Sequence, residues 1–309
     1  MAKTIANEKV ATWEKVGKVA NAKKISEALE QTNLNFEVEK RPLFFGPDMK
    51  QIKDKFATVR TDHETEMGIV GKGYVICQNA AAFEFADYIN ENLTFTRGGL
   101  TYTGLAWLVG EMPSVKILGE TYTPAIVLQN SFNGKYCLRA NIVPVTESGS
   151  AMNINLFGLV GTLTVKHSVS LVNKMKQGQK TLCAIAEYME GLRKVAEKYA
   201  NIKMGKEQID MLLNILFPTK DNMSEQTKAN VEAERKLFLA CYDDEGNKTN
   251  HGNAWGIIRA YADFESHTES HAKKNETKKA EFKFMSNTLG KNNFAKFIKK
   301  LDEVAKANA

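Results

Sequence analysis

Cysteine is scarce in this chain. The four present, Cys77, Cys137, Cys183 and Cys241, form no C-x-x-C pair and have no histidine close in sequence, so neither a zinc knuckle nor a dithiol redox motif is encoded. Free thiols in a reducing compartment are what remains. No apolar run approaches the ~20 residues of a membrane span. The stretch Met1 to Trp13 mixes Lys, Glu and Asn where a secretory leader would be apolar, so a cytoplasmic protein without membrane contact is expected. Also missing are a Gly-x-Ser-x-Gly elbow, a P-loop and a dinucleotide fingerprint. Without a nucleophile, base and orienter in a recognisable motif, an enzyme is the least supported class, and no cofactor is expected. Without an ATP site, a strand-exchange motor is unsupported as well.

What is present is an ordinary globular composition, 43% hydrophobic and 25% charged, enough to bury a core over 309 residues. The net charge of +6 is unevenly placed. Residues 272–309 hold ten lysines and four acids, and the preceding 271 residues are neutral. A lysine-rich end of this kind attracts phosphates, or serves as the wet face of a helix.

Periodicity divides the chain into an arm at 1–22, an α+β sheet core at 23–167, a helical region at 168–271 and a basic segment at 272–309. The arm is expected to be weakly ordered, with Trp13 as its anchor. Lys24–Thr32 has helical spacing, and Leu34, Phe36 and Val38 alternate as a strand that Pro42 ends or places at an edge. Strand-like runs follow at Phe56–Thr61, Met67–Val70 and Tyr74–Cys77, with a tight hairpin expected in Gly68–Gly73. Asn79 reads as the N-cap of a helix over Ala80–Asn90.

An antiparallel meander comes next: Leu93–Arg97, a turn at Gly98-Gly99, Leu100–Glu111, Thr121–Asn130, a turn at Asn133-Gly134, and Lys135–Val145. Asn-Gly between two strand-like runs is a strong hairpin signal. Beyond Thr146 the period changes to 3.6, predicting helices over Ser168–Ala200, Lys206–Leu216, Ser224–Tyr242 and Trp255–His271. Phe294, Phe297, Ile298, Leu301 and Val304 form one stripe, so the basic segment ends in an amphipathic helix. The fold class is α+β: a central antiparallel meander flanked by helices, then a mostly helical C-terminal half.

His267 and His271 lie four apart beside Glu265 and Glu269. Their order departs from His-Glu-x-x-His and a third ligand is missing, so a solvated helix end is expected and no metal. The remaining chemistry is a basic set on or beside the sheet: Arg60, Lys72, Arg97, Lys116, Lys135, Arg139 and Lys166. It is interleaved with Tyr74, Phe95, Tyr102, Trp107, Tyr122 and Tyr136. Cations that pair phosphates and aromatic faces that stack bases are the combination used by sequence-tolerant single-strand binders. Most strand aromatics pack inward, which is the first reading of Trp107 and Tyr136. Alternation puts Lys135, Cys137, Arg139 and Asn141 on a polar face and Tyr136, Leu138, Ala140 and Ile142 on a core face.

Several pieces together resemble the phage/plasmid-like family known as domain of unknown function 932. These are Arg60-Thr61-Asp62, Gly68-x-Val70, Gly73-Tyr74, Gln78-Asn79 and Phe83-x-Phe85, then Gly98-Gly99-Leu100, Gly104, Trp107 and Pro113. Asn130-Ser131, Asn133-Gly134, Lys166-His167, Asn253-Ala254-Trp255, Ala260-Tyr261 and His267 continue the likeness. The chain departs from that pattern at Met152–Leu156 and at Phe132. The resemblance implies a phage or mobile-element origin, hence a bacterial host cell, and no settled activity. The helix–meander–long-helix order also resembles the phage single-strand annealing proteins of the RecT/Redβ type, which implies a ring or filament of copies along a basic groove.

The function expected from these readings is ATP-independent binding and annealing of single-stranded DNA in phage recombination or replication. Arg97, Arg139, Lys135 and Lys166 would neutralise phosphates, Tyr102 or Tyr136 would support splayed bases, and Arg60 and Lys72 complete the expected nucleic-acid-binding set. The expected partners are single-stranded DNA, further copies of the chain, and a phage nuclease or a host single-strand binding protein. The alternative is a host-interaction or defence-modulating factor with no nucleic-acid role, which the neutral first 271 residues favour.

Overall fold

A computed structural model describes residues 3–6, 8–152, 162–171, 185–270, 275–288 and 294–306. The first half is built mostly of strands: β1 Lys3–Ile5, β2 Lys18–Ala22, β3 Val38–Phe45, β4 Lys50–Arg60, β5 Thr65–Gly71 and β6 Thr94–Leu100. They continue with β7 Leu105–Glu111, β8 Val115–Ile117, β9 Glu120–Ser131, β10 Leu138–Thr146, β11 Thr162–Val165 and, far downstream, β12 Thr268–Ser270. The first two helices are α1 Ile25–Gln31 and α2 Asn79–Phe83. The second half holds α3 Ile185–Ala200, α4 Lys206–Leu216, α5 Glu225–Tyr242, α6 Ala254–His267, α7 Glu276–Thr288 and α8 Phe294–Lys306.

The main sheet is antiparallel and runs β11-β10-β9-β7-β6-β2, with β8 paired to β9. The expected meander is therefore real. A second sheet, β3-β4-β5, carries Pro42 on its edge strand, where a missing N–H costs no ladder bond. Gly98 and Gly99 are not a turn: both lie inside β6, and the chain reverses at Thr101–Gly104 instead. Each missing side chain makes room on its own face: a Cβ on Gly99 would sit 3.1 Å from the Gly17 Cα and 3.7 Å from the Trp107 indole, and one on Gly98 would sit 2.8 Å from Leu108 Cδ1 and 3.0 Å from Thr32 Cγ2.

Other expectations change for equally local reasons. Tyr74–Cys77 is not a strand, so no tight hairpin forms around Gly71–Gly73. Asn79 does not cap a helix; its amide donates to Leu34 O at 2.9 Å and accepts from Asn130 at 2.9 Å. The segment after it is a short α2 followed by a 3-10 turn, Glu84–Tyr88, rather than one helix. The arm is ordered through pairing: β2 joins the main sheet, β1 pairs β12, and Trp13 is buried with Nε1 donating to Glu111 at 3.2 Å. Of the helix expected over Ser168–Ala200, residues 172–184 lie outside the described set, as do Cys183, His271 and positions 153–156.

The sheet has a core on each face. One contains Phe95, Leu108, Tyr122, Ile126, Leu128, Leu138, Ala140 and Ile142, and continues into α1, α2, α3, α5 and α6. The other contains Trp107, Val109, Val127, Val143 and Val145 and is closed by Trp13 and by Phe284 of α7. Helix α6 is buried everywhere but at Glu265, as expected of a central helix with no wet face. The predicted stripe of α8 is buried, with Phe297 stacked on Tyr261 of α6 at 3.9 Å between ring centres.

A buried polar junction ties the arm to α6. The Ser150 hydroxyl donates to Asp263 and therefore accepts from Nε2 of His267 at 2.8 Å. Lys9 reaches Asp244 at 2.7 Å and Asp263 at 3.5 Å. His267 is thus a buried neutral imidazole and not the solvated helix end expected. Among the described residues, no three His, Cys, Asp or Glu groups gather as a metal site would require.

Burial pulls the His267 pKa down to about 4; Asp263 opposes the shift, and Lys9, Lys15 and Lys283 add to it. Below the ordinary histidine pKa the unfolded chain takes up a proton that the folded chain refuses, so stability is lost as pH falls from about 6.5 toward 4. Denaturant melts across that window should show a decline on the order of 2–3 kcal/mol. His267→Asn should flatten most of it. A pH-independent parent would refute the buried neutral ring. His167, lowered by burial, contributes in the same direction.

Candidate nucleic-acid interface

The β9–β10 hairpin forms where Asn-Gly announces it, with a mechanism of its own. Gly134 has φ +71°, a conformation costly for other residues, while Asn133 does not have positive φ. Asn133 instead brackets the loop. Its carbonyl oxygen accepts from Ser131 Oγ at 2.7 Å and Lys135 N at 2.9 Å, and its amide donates to Thr103 O at 2.6 Å. Strand β5 packs directly on this bracket, because a Cβ on Gly68 would lie 2.6 Å from the Asn133 Cα. Thr58 of β4 closes the contact by donating to Phe132 O at 2.7 Å.

Tyr74 and His167 complete the corner. Their rings stack at 4.9 Å, the Tyr74 hydroxyl donates to Ser131 O at 2.6 Å, and Val75 N donates to His167 O at 3.2 Å. Burial raises the Tyr74 pKa, keeping the phenol a donor. Three exposed lysines flank this knot: Lys72 two residues before Tyr74, Lys135 two after Asn133, and Lys166 beside His167. Arg139, partly buried, is in register with Thr164 of β11, and Thr162, Thr164 and Lys166 are all exposed along that edge. Tyr136 is partly buried in the same loop.

The other sequence-predicted residues lie elsewhere. Arg60 belongs to the second sheet, where it makes a two-pronged contact with Asp62 at 2.6 and 2.8 Å and lies 4.1 Å over the Phe36 ring. That guanidinium holds the Asp62 carboxyl below its usual range. Arg97 sits on β6, three strands from β10 and so about 14 Å across the sheet, and donates to Val16 O at 3.4 Å. Tyr102 lies in the β6–β7 loop against α7, with Lys278 Nζ 5.5 Å from its ring centre.

The polar face that alternation assigned to Lys135, Cys137, Arg139 and Asn141 is largely covered. Trp107 and Asn141, on the face of Arg97 and Arg139, are buried under Trp13 and α7. Asn141 donates to Thr288 O, and Gln129 to Thr288 Oγ1 at 3.3 Å. Strand alternation separates two faces but says nothing about which of them a distant helix covers. Val143 and Val145, apolar on the supposedly polar face, were the available signal.

A family model described as a domain of unknown function, DUF932, matches residues 66–287, from β5 through most of α7. No curated protein and no solved structure matches the chain.

Proposed function

The chain belongs to the DUF932 family, whose name carries no activity, and we propose from its own surface that it binds single-stranded DNA and anneals complementary strands without ATP. The setting is phage recombination or replication, with copies arranged in a ring or filament and a phage nuclease or host single-strand binding protein as partner. The observation that carries this reading is the knot of Tyr74, Asn133 and His167, which exposed Lys72, Lys135 and Lys166 flank in sequence beside Arg139 and Tyr136. Four cationic side chains on rigid backbone suit a phosphate track, and exposed Thr162 and Thr164 on β11, the last strand of the sheet among the described residues, continue it with Lys166 just beyond.

The test is a gel-shift series on labelled single- and double-stranded DNA at two salt concentrations, with imaging of the same samples. Removing Lys72, Lys135 and Lys166 together by alanine should weaken single-strand binding by about 10–100-fold and lower the salt slope by about 2. All three side chains are exposed, so folding should be unaffected. Equal affinity and slope in the triple variant would remove the assignment.

One feature favours the host-factor reading. Beyond its pairing with β5, the β3–β4 hairpin is a two-stranded finger whose end exposes Phe44, Phe45 and Met49. Apolar tips of this kind mark protein contacts. A parent inert toward DNA, together with a complex rebuilt from purified chain and one host protein and lost in Phe44→Ser plus Phe45→Ser, would favour that reading.

A further inference from the structure

The basic C-terminal segment does not trail in solvent: its helix α7 lies against the β6–β7 loop. The Tyr102 backbone N–H donates to Glu281 at 2.9 Å, and the Thr103 hydroxyl meets the Met285 sulfur at 3.9 Å. These bonds hold two aromatic side chains at one surface. Tyr102 is 55% exposed and Phe282 67% exposed. Lys278, one helical turn before Phe282 and on the same side of α7, sets its ammonium 5.5 Å from the Tyr102 ring centre. A single exposed aromatic is commonplace. Two that flank one ammonium, on elements hydrogen-bonded to each other, form a preorganised group.

We infer that Tyr102, Lys278 and Phe282 form a second contact for single-stranded nucleic acid, with bases stacked on the two rings and a backbone phosphate at Lys278. Charge supports that ligand over an apolar or cationic one. The segment carrying Lys278 and Phe282 has ten lysines against four acids, whereas the rest of the chain is neutral. A polyanion is drawn to this face of the molecule, and every base offers a π-face to the rings whatever its identity. The inference rests on the single-strand reading above, and it adds two exposed rings to a corner whose exposed side chains, Lys72, Lys135 and Lys166, supply charge.

The full chain should be titrated with a labelled single-stranded oligonucleotide and with an abasic one of equal length, at two salt concentrations. Tyr102→Ala and Phe282→Ala should each weaken binding to the base-bearing strand about tenfold without changing the salt slope. In the double variant the preference for bases over abasic sites should vanish. Tyr102→Phe should keep parental affinity, and Lys278→Ala should lower the slope by about 0.7. If the parent binds both oligonucleotides equally and the alanine variants match it, the stacking site falls while the phosphate corner stands. If the parent binds no single strand, both readings fall. Should Phe282→Ala change the mass in light scattering but leave DNA affinity intact, the patch is a subunit contact and the inference is overturned.

Discussion

Arg259→Met should destabilise the chain by about 3–5 kcal/mol, measured as a drop in denaturation midpoint at constant slope. Arg259 of α6 meets Glu120 of β9 at 3.0 and 3.2 Å, and both side chains are nearly shut off from water. The Tyr122 hydroxyl donates to the same carboxylate at 2.6 Å, and the guanidinium lies 5.7 Å from the Tyr122 ring centre. Burial raises the Tyr122 pKa, so the phenol stays a donor and adds no third charge. Methionine would fill the space while stranding the carboxylate in a site built for an ion pair. Adding Glu120→Met removes the stranded charge, so the double variant should recover to within about 1 kcal/mol of the parent. Additive losses in the two single variants would mean the groups act separately, and the pair would not be what fastens α6 to the sheet.

Phe284→Ala should detach α7 before the body unfolds. A helix of 13 residues is marginal in isolation and is ordered by its packing. Phe284 is its largest buried side chain, 4.4 Å from the Trp107 ring, and truncating a buried phenylalanine costs about 3–5 kcal/mol. Loss of even the lower figure raises the population of the detached helix about a hundredfold. Proteolysis inside Glu276–Thr288 should accelerate by a similar factor, with tryptophan emission shifting as Trp107 meets water. Binding distinguishes two arrangements. If Tyr102, Lys278 and Phe282 act together, the variant binds single strands more weakly because Lys278 and Phe282 are no longer held in place. If the covered face of Trp107, Gln129, Asn141 and Arg139 is the true surface, the variant binds more tightly. Unchanged proteolysis would show that the polar contacts of Thr288 hold α7 without Phe284.

Short-range periodicity made most elements legible. The period-two runs give β7, β9 and β10, the 3.6 period gives α4, α5 and α8, and a hairpin closes at Asn133-Gly134, although β7 starts only at Leu105 and β10 only at Leu138, which leaves Lys135–Cys137 in the loop. These features depend on backbone geometry within a few residues, and the sequence records that directly. Where spacing misled, the cause was a partner distant in sequence. Gly98-Gly99 is a strand because Leu108 and Thr32 need the space on one face and Gly17 and the Trp107 ring the space on the other. Asn79 is a cross-link because Leu34 and Asn130 lie beside it, and the arm is ordered because β12 and β6 pair with it.

The candidate site divides along the same line. Residue types alone singled out the cations and aromatics, and the charge count located the excess lysines in the last 38 residues. Only the tertiary structure gathered Lys72, Lys135 and Lys166 at one corner, tied Arg60 to Asp62, put Arg97 across the sheet, and laid α7 over the face alternation had left open. Composition and period are local sums along the chain. Which face stays wet depends on the docking of segments more than a hundred residues apart, through packing that no local pattern encodes.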